Sequence, residues 1–367
     1  METSVLIAGA GPTGLAAALA LSGHQIPVTI IDPVVTRSPF SKALAFNPRS
    51  QELLEASGVT AAIRREAREV TGLRMHDAKK VFLAIDFDCV DHDPNTMLVL
   101  PQARTEALME QALAERGISV QRGMTLVDAE QQGDAVMSTL RDADGNESYL
   151  ASTYLIGADG AHSKVREITG QDFPGDALAH DWTLADVRID AEAWQADTFN
   201  KAHLVREKNR FVFVLPVSPG ILRVVSDDEG VLDDLPALVR DATPQEVVWQ
   251  SSFRVSHRQV ANYQHGNLFL AGDAAHIHSP VGGRGMNMGI EDAFCLADCI
   301  GQETPEDYHR LRHAYGKQAI RLIKAQTLFA TNHSLLTNLV TRLFGPMLFS
   351  AAKARREFAR RNLGLQN

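Results

Sequence analysis

Two glycine-rich stretches hold the residues whose types and spacing can do chemistry. The first, Gly9-Ala10-Gly11-Pro12-Thr13-Gly14, is a G-x-G-x-x-G between an apolar run, Ser4 to Ala8, and an Ala/Leu-rich segment, Leu15 to Ser22. In that pattern Gly9 makes a tight turn, Gly11 lets a diphosphate approach bare backbone, and Gly14 lets a helix pack closely on a strand. Asp32 follows 18 residues after Gly14, at the end of the apolar run from Pro27 to Ile31, where a carboxylate meets a ribose hydroxyl. The second stretch starts from the apolar run Leu268 to Ala271 and stops at Gly272-Asp273, which sets a carboxylate at the carboxyl end of a strand. A loop, Pro280-Val281-Gly282-Gly283-Arg284-Gly285, then leads into a helix predicted from about Met286, with Asn287 in its first turn. Glycines before a helix expose backbone N–H groups, and the helix start favours negative charge. A phosphate fits such a site, and so does a planar ring whose reduced form is an anion. The first motif points to a dinucleotide but does not by itself separate FAD from NAD.

The elements that position these motifs read as strand–turn–helix–strand over residues 4–32. An amphipathic helix to about Ser57 follows, then short strands over 72–76 and 81–87. Gln102 and Arg104 sit at the start of a helix predicted over 105–116. Residues 118–156 alternate as strands and end in Gly157-Ala158-Asp159-Gly160, a tight turn with Lys164 and Arg166 placed to reach back toward a diphosphate. From 174 to 265 the pattern changes to separate strands (182–189, 203–206, 211–216, 221–225, 253–257), with a helix over 234–241 and a second helix start at Thr243-Pro244-Gln245-Glu246. Alternate residues of Phe211-Val212-Phe213-Val214 and Leu222-Arg223-Val224 are placed to line a pocket. Thr304-Pro305-Glu306 starts a helix running to about His333, Gly345-Pro346 breaks the pattern, and a tail with Lys353, Arg355, Arg356, Arg360 and Arg361 reads as a solvated or dimer-contacting helix.

Composition bounds the possibilities. A chain of 367 residues can bury one large core or two modest ones. At 45% hydrophobic and 22% charged it is globular, and a formal charge of −9 argues against a nucleic-acid surface. Cys89, Cys295 and Cys299 cannot make a disulfide framework, and two thiols at i,i+4 make a poor metal site, so no metal is expected. No apolar run approaches the ~18 residues needed to span a bilayer, and the amino terminus has no basic-then-apolar leader. The expectation is a cytoplasmic protein without an integral membrane segment, monomeric or homodimeric.

The stretch Gly272-Asp273-Ala274-Ala275-His276, Pro280, Gly283-x-Gly285-Met286-Asn287 and Gly289-Ile290-Glu291-Asp292-Ala293 resembles the second flavin motif of the FAD-dependent aromatic hydroxylases. These are the single-component flavoprotein monooxygenases related to para-hydroxybenzoate hydroxylase. One departure is Arg284, where relatives often carry Gln. The resemblance extends over nearly the whole chain, including Ser41-Lys42 through Pro48-Arg49, where relatives usually have Arg in place of Lys42, and Asp159-Gly160, the turn that in the family contributes to FAD and NAD(P)H binding. It implies an α/β fold: a Rossmann-like FAD-binding domain in three parts (1–72, 99–173, 266–303), an inserted β-sheet substrate domain (73–98 and 174–265), and C-terminal helices (304–367). It implies FAD contacts from Gly9, Gly11, Pro12, Thr13, Gly14, Asp32, Lys42, Gln102, Arg104, Asp159, Gly160, Gly272, Asp273, Pro280, Gly285, Met286 and Asn287. FAD would be held non-covalently, NAD(P)H would dock transiently as reductant, and O2 would add at the flavin C4a to give a hydroperoxide that hydroxylates an aromatic or polycyclic phenol-like molecule. No side-chain nucleophile is required; for a base that activates a phenol, His180, His203 and Tyr263 qualify by type alone and none is assigned. Two other readings share the fold: a reductase or dehydrogenase that does not use oxygen, and a flavin-binding protein without turnover. A membrane-surface variant would use the basic tail.

Overall fold

The first apolar run becomes the strand Val5–Ala8, whose four residues are all buried. It pairs in parallel with Val28–Asp32 on one side and Tyr154–Gly157 on the other. Tyr154–Gly157 pairs in parallel with Leu268–Leu270, and Val28–Asp32 with Val120–Arg122. Gln264–His265 adds an antiparallel edge and completes six strands. Parallel strands covered on both faces require unbroken apolar runs, which is what Val-Leu-Ile-Ala and Leu-Phe-Leu supply. The helix Pro12–Gly23 carries proline at its first position, buries Gly14 through Leu21, and packs against the helices Gln102–Ala114 and Gly285–Gly301. This computed structural model describes residues 3–36, 43–190, 197–207, 210–228, 230–239, 242–331 and 351–365.

The segment after 174 builds a second sheet of eight strands. Their order is His276–Ile277, Glu246–Gln259, Gly175–Arg188, Ile221–Ser226, Arg210–Ser218, Ala202–Glu207, Gly72–His76 and Val81–Asp86. The two short early strands thus join the inserted sheet, through a parallel pairing of Gly72–His76 with Ala202–Glu207. Alternation sorts its two faces. Val187, Val212, Val214, Leu222 and Val224 point away from the first sheet and bury the helix Val231–Leu238. Leu184, Val225, Phe213, Leu204, Met75 and Leu83 lie opposite one another, in register across six strands, and form an apolar row on the other face.

Four local expectations are corrected. Thr243-Pro244-Gln245-Glu246 does not start a helix; Glu246 opens the strand Glu246–Gln259, which pairs along Gly175–Arg188. The next residues, Val247-Val248-Trp249, are β-branched and aromatic, and cross-strand pairing overrides a helix-start signature that no amphipathic period follows. The helix predicted over 234–241 lies earlier, at Val231–Leu238, and the one expected from Thr304 begins at Asp307, after a turn in which the Asp307 N–H donates to the Thr304 carbonyl at 3.0 Å. The basic tail is not simply solvated: in Ala352–Asn362 and the residues after it, Phe358, Ala359, Leu363 and Leu365 pack into the core formed with Leu73, Leu83, Phe87 and Leu215, while Lys353, Arg355 and Arg356 stay exposed. Gly345-Pro346 and Lys42 lie outside the described residues. No helix among the described residues is long and apolar enough to cross a membrane, and none of their His, Cys, Asp and Glu side chains group as metal ligands.

Candidate active site

The two glycine motifs meet on Thr13. Gly272 adopts φ +60°, and a side chain there or at Gly289 would run into the Thr13 hydroxyl. Within the first motif, Gly9 has φ +102° and lies under the Ala158 carbonyl, and a Cβ on Gly14 would overlap the Gly9 carbonyl oxygen. These glycines are set by close approach, not by flexibility. A Cβ on Gly11, by contrast, would meet nothing within 4 Å.

That open space is the edge of a cavity of about 940 Å³ between the two sheets. Gly11, Pro12, Thr13, Gln102, Gly160, Asp273, Pro280, Gly285 and Met286 line it, so the structure brings most of the residues singled out in the sequence onto one wall. Asp273, which follows the strand Leu268–Leu270, is exposed on that wall, and the first turn of Gly285–Gly301 opens onto it.

The other predicted residues act around this wall. Asp32 accepts the N–H of Ala10 at 2.7 Å and of Val34 at 2.8 Å and stands 3.5 Å from Arg122, so its carboxylate shapes the glycine turn itself. Asp159 accepts the N–H groups of Lys164 and Val165, at 2.6 and 3.2 Å, and ties its turn to the helix Lys164–Ile168. Burial raises its carboxyl above the ordinary carboxylate range. Asn287 is buried: its Oδ1 accepts the Asn47 N–H, and its Nδ2 donates to the carbonyls of Ala45 and Gly283. Arg104 points outward and forks onto Glu66 through two bonds of 2.7 Å. Lys164 pairs with Glu167, while Arg166 donates to the carbonyls of Ala274 and Ala161 and lies over Phe173; both are structural in this state.

The opposite wall is the second sheet. Phe211, Phe213 and Arg223 face the cavity as alternation required. Trp182, Leu184, Val225, Leu73, Met75 and Phe253 join them. Arg223 is the charged exception on this face. Its Nε and Nη2 each meet Asp186 at 2.7 Å, and its guanidinium lies 5.3 Å from the Trp249 ring centre. Of the bases considered by type, His203 is buried against His76, 3.1 Å away, and Tyr263 bonds Gln259; neither lines the cavity. The His180 side chain is outside those described.

Sequence reasoning missed four contributors. Phe358 and Asn362 close the cavity from the C-terminal helix, as Gln326 does from Asp307–Thr331. The i,i+1,i+4,i+5 spacing of Phe358, Ala359, Asn362 and Leu363 carried that signal beneath the surrounding charges. His278 also lines the cavity. Its Nδ1 lies 2.8 Å from the Ser279 carbonyl, which can only accept, so that nitrogen carries the proton and Nε2 is left as a buried lone pair. Burial holds His278 neutral, pushing it down to about 3. Behind the loop, Asp292 receives the Gly272 N–H at 3.1 Å, His276 Nε2 at 2.6 Å and Arg312 Nε at 2.6 Å, locking the strand end to two helices.

The residues present fit a flavin dinucleotide: a helix start over open backbone at Gly11, a carboxylate at the strand end, a second helix start at Gly285, and a large apolar chamber beyond. A family model for the FAD binding domain matches residues 2–325, and the chain belongs to that family. It is 33% identical to the 6-methylpretetramide 4-monooxygenase of Streptomyces rimosus, over 97% of this chain and 67% of that protein. Among solved structures it superposes on an anhydrotetracycline hydroxylase from Streptomyces rimosus at 28% identity with TM-score 0.81, covering all of this chain and 77% of that one. The fold also matches that of a p-nitrophenol 4-monooxygenase from Pseudomonas putida, at TM-score 0.88 and 23% identity over 99% of both chains. The chain spans about two thirds of the length of the curated relatives it matches. It is an FAD-dependent oxidoreductase of the monooxygenase class.

Proposed function

We propose that the protein uses NAD(P)H and O2 to hydroxylate an aromatic or polycyclic phenol-like molecule, with FAD held non-covalently along the wall from Gly11 to Met286. The observation that carries this reading is the cavity: one wall supplies glycine turns, a strand-end carboxylate and two helix starts, and the facing wall is apolar. Bound FAD would supply the electron transfer and the oxygen chemistry. Gly11 to Thr13 would receive the diphosphate on bare backbone, and Asp32 would hold that turn in shape while facing the adenosine ribose. Asp273 would accept hydrogen bonds from the flavin hydroxyls. The N–H groups of Gly285 and Met286 would face negative charge on the ring. Lys42, Gln102, Arg104, Asp159, Gly160 and Gly272 complete the proposed set as neighbours of the cofactor or supports of its turns. Trp182, Leu184, Phe211 and Phe213 would exclude water from the reacting face. In this reading the first sheet with its helices would bind FAD and the eight-stranded sheet would cover the substrate.

The activities of these relatives, on a pretetramide and on anhydrotetracycline, support a fused-ring substrate for this chamber. The three cysteines are unpaired, which suits a reducing cytoplasm, and the enzyme would work there as a monomer or homodimer. The direct test is a panel of phenolic ligands scored by NAD(P)H oxidation above the no-ligand rate, with O2 uptake recorded alongside. Stimulation matched by oxygen uptake is expected. Ligand-stimulated oxidation without oxygen uptake would make the protein a reductase, and a flavin that NAD(P)H never bleaches would make it a carrier.

Asp273→Ala is expected to lower FAD affinity while leaving the fold intact, because the residue is exposed on the cavity wall. Losing a charge-assisted hydrogen bond costs ~1.5–3 kcal/mol, or roughly 10- to 150-fold in affinity. Titrating apoprotein with FAD measures it, and an unchanged dissociation constant would remove Asp273 from the site.

A further inference from the structure

We infer that Arg284 is the counter-ion for the negative charge that forms in the cavity when the bound flavin is reduced. Arg284 is 3% exposed and lines the cavity immediately before the 17-residue helix Gly285–Gly301. Its Nη2 donates to the Tyr315 hydroxyl at 2.6 Å, which fixes the guanidinium in place. Among the described residues its buried Nε and Nη1 have no hydrogen-bond partner. Among the described residues no carboxylate lies within ion-pair distance of it. The two arginines nearest in role behave differently: Arg312 holds Asp292 and Glu291, and Arg223 holds Asp186. The Glu291 carboxylate on the same helix is engaged by Arg312 at 3.2 Å.

A buried guanidinium with two idle donors and no counter-charge is costly unless a ligand completes it. The ligand must be anionic, because guanidinium donates and never accepts. The helix start beside it adds partial positive charge of the same sense. Hydride transfer from NAD(P)H brings two electrons and one proton to the flavin and releases NAD(P)⁺, leaving one net negative charge on the ring. A substrate phenolate would be the other source of an anion. Arg284 belongs to the wall of Asp273 and Gly285, the wall along which FAD is placed above, so the flavin is the anion this position serves. This inference rests on the FAD site proposed above.

The test compares wild-type holoprotein with Arg284→Gln and Arg284→Lys by anaerobic dye-equilibrated potentiometry without substrate. Removing the charge is expected to weaken reduced FAD relative to oxidised FAD by about 10- to 100-fold, which lowers the two-electron midpoint by about 30–60 mV at ~30 mV per tenfold. Arg284→Lys keeps the charge and is expected to retain at least half of the effect. Should Arg284→Gln shed its cofactor, the same ratio is read from the apoprotein's affinities for oxidised and dithionite-reduced FAD. A parallel titration of the oxidised enzyme with a phenol across pH addresses the other source. An unchanged ratio of reduced to oxidised affinity, with phenolate binding weakened instead, would overturn the assignment in favour of the substrate. An unchanged ratio with phenol binding also unchanged would leave Arg284 without a ligand role. Wild-type protein that takes up no FAD would sink the cofactor site itself, a separate and recognisable result.

Discussion

Arg312→Met is expected to cost the fold about 3–5 kcal/mol near neutral pH, the usual result of removing one partner from a buried ion pair. Arg312 Nε bonds Asp292 at 2.6 Å, its Nη2 reaches Glu291 at 3.2 Å, and its guanidinium lies 4.4 Å from the Tyr315 ring centre. Burial alone would push the Asp292 carboxyl up; Arg312 and His276 outweigh it and hold the carboxyl below its ordinary value. A folded-state pKa lower than the unfolded one contributes stability above the unfolded value of about 3.9, lost as pH falls through the folded value. In the Met variant the sign reverses. Burial then raises the carboxyl, the native state gains protons more readily than the unfolded chain, and the deficit shrinks on acidification. Urea midpoints of both proteins between pH 4.5 and 7.5 measure this. A deficit that does not change with pH would show that Asp292 is not the charge left stranded.

Gly14→Ala and Gly11→Ala should fail in different ways. At position 14 the new methyl overlaps the Gly9 carbonyl oxygen and crowds Ile7. The roughly 1 kcal/mol that alanine gains over glycine inside a helix cannot offset a backbone clash. Gly14→Ala should therefore lose both FAD and thermal stability. Gly11 has φ −76°, which any residue adopts, and its Cβ would project into open space. Gly11→Ala should fold with an unchanged melting temperature in the absence of FAD yet bind FAD at least tenfold more weakly, because the methyl occupies the path of the diphosphate. Differential scanning fluorimetry with and without FAD separates the two. Full FAD affinity in Gly11→Ala would mean that no ligand passes over this turn.

The glycine pair shows why this part of the fold was legible. A G-x-G-x-x-G with its flanking strands specifies geometry through positions that tolerate nothing larger, and Gly272-Asp273 ends its strand for the same reason. Asn287 and Asp32 were legible as important residues, but the structure gives their polar atoms to backbone groups, and residue type does not reveal which partner a carboxamide or carboxylate will find. Thr243-Pro244 misled because a helix-start signature is local, whereas the pairing of Glu246–Gln259 with Gly175–Arg188 spans some seventy residues of sequence. The C-terminal helix was misread through its charge: Arg355 and Arg356 mark one face and hide the apolar face that closes the cavity. Arg284 was visible as a departure from relatives, but only the structure shows that its charge is buried and has no carboxylate partner among the described residues.

The order of strands in the first sheet has a consequence for how the chain is made. Val5–Ala8 lies at the centre of that sheet, its neighbour Tyr154–Gly157 comes roughly 150 residues later, and Leu268–Leu270, which covers that neighbour's outer edge, comes more than a hundred residues later still. During synthesis at roughly 5–20 residues per second, the outer edge of Tyr154–Gly157 waits about 6–20 s for its partner. Through that interval an apolar strand edge, Tyr-Leu-Ile-Gly, is open to pairing with other chains. The intervening strands can form their own sheet and core while the first one is unfinished. The interval in which this strand edge is uncovered is the one at which a chaperone would have most to do.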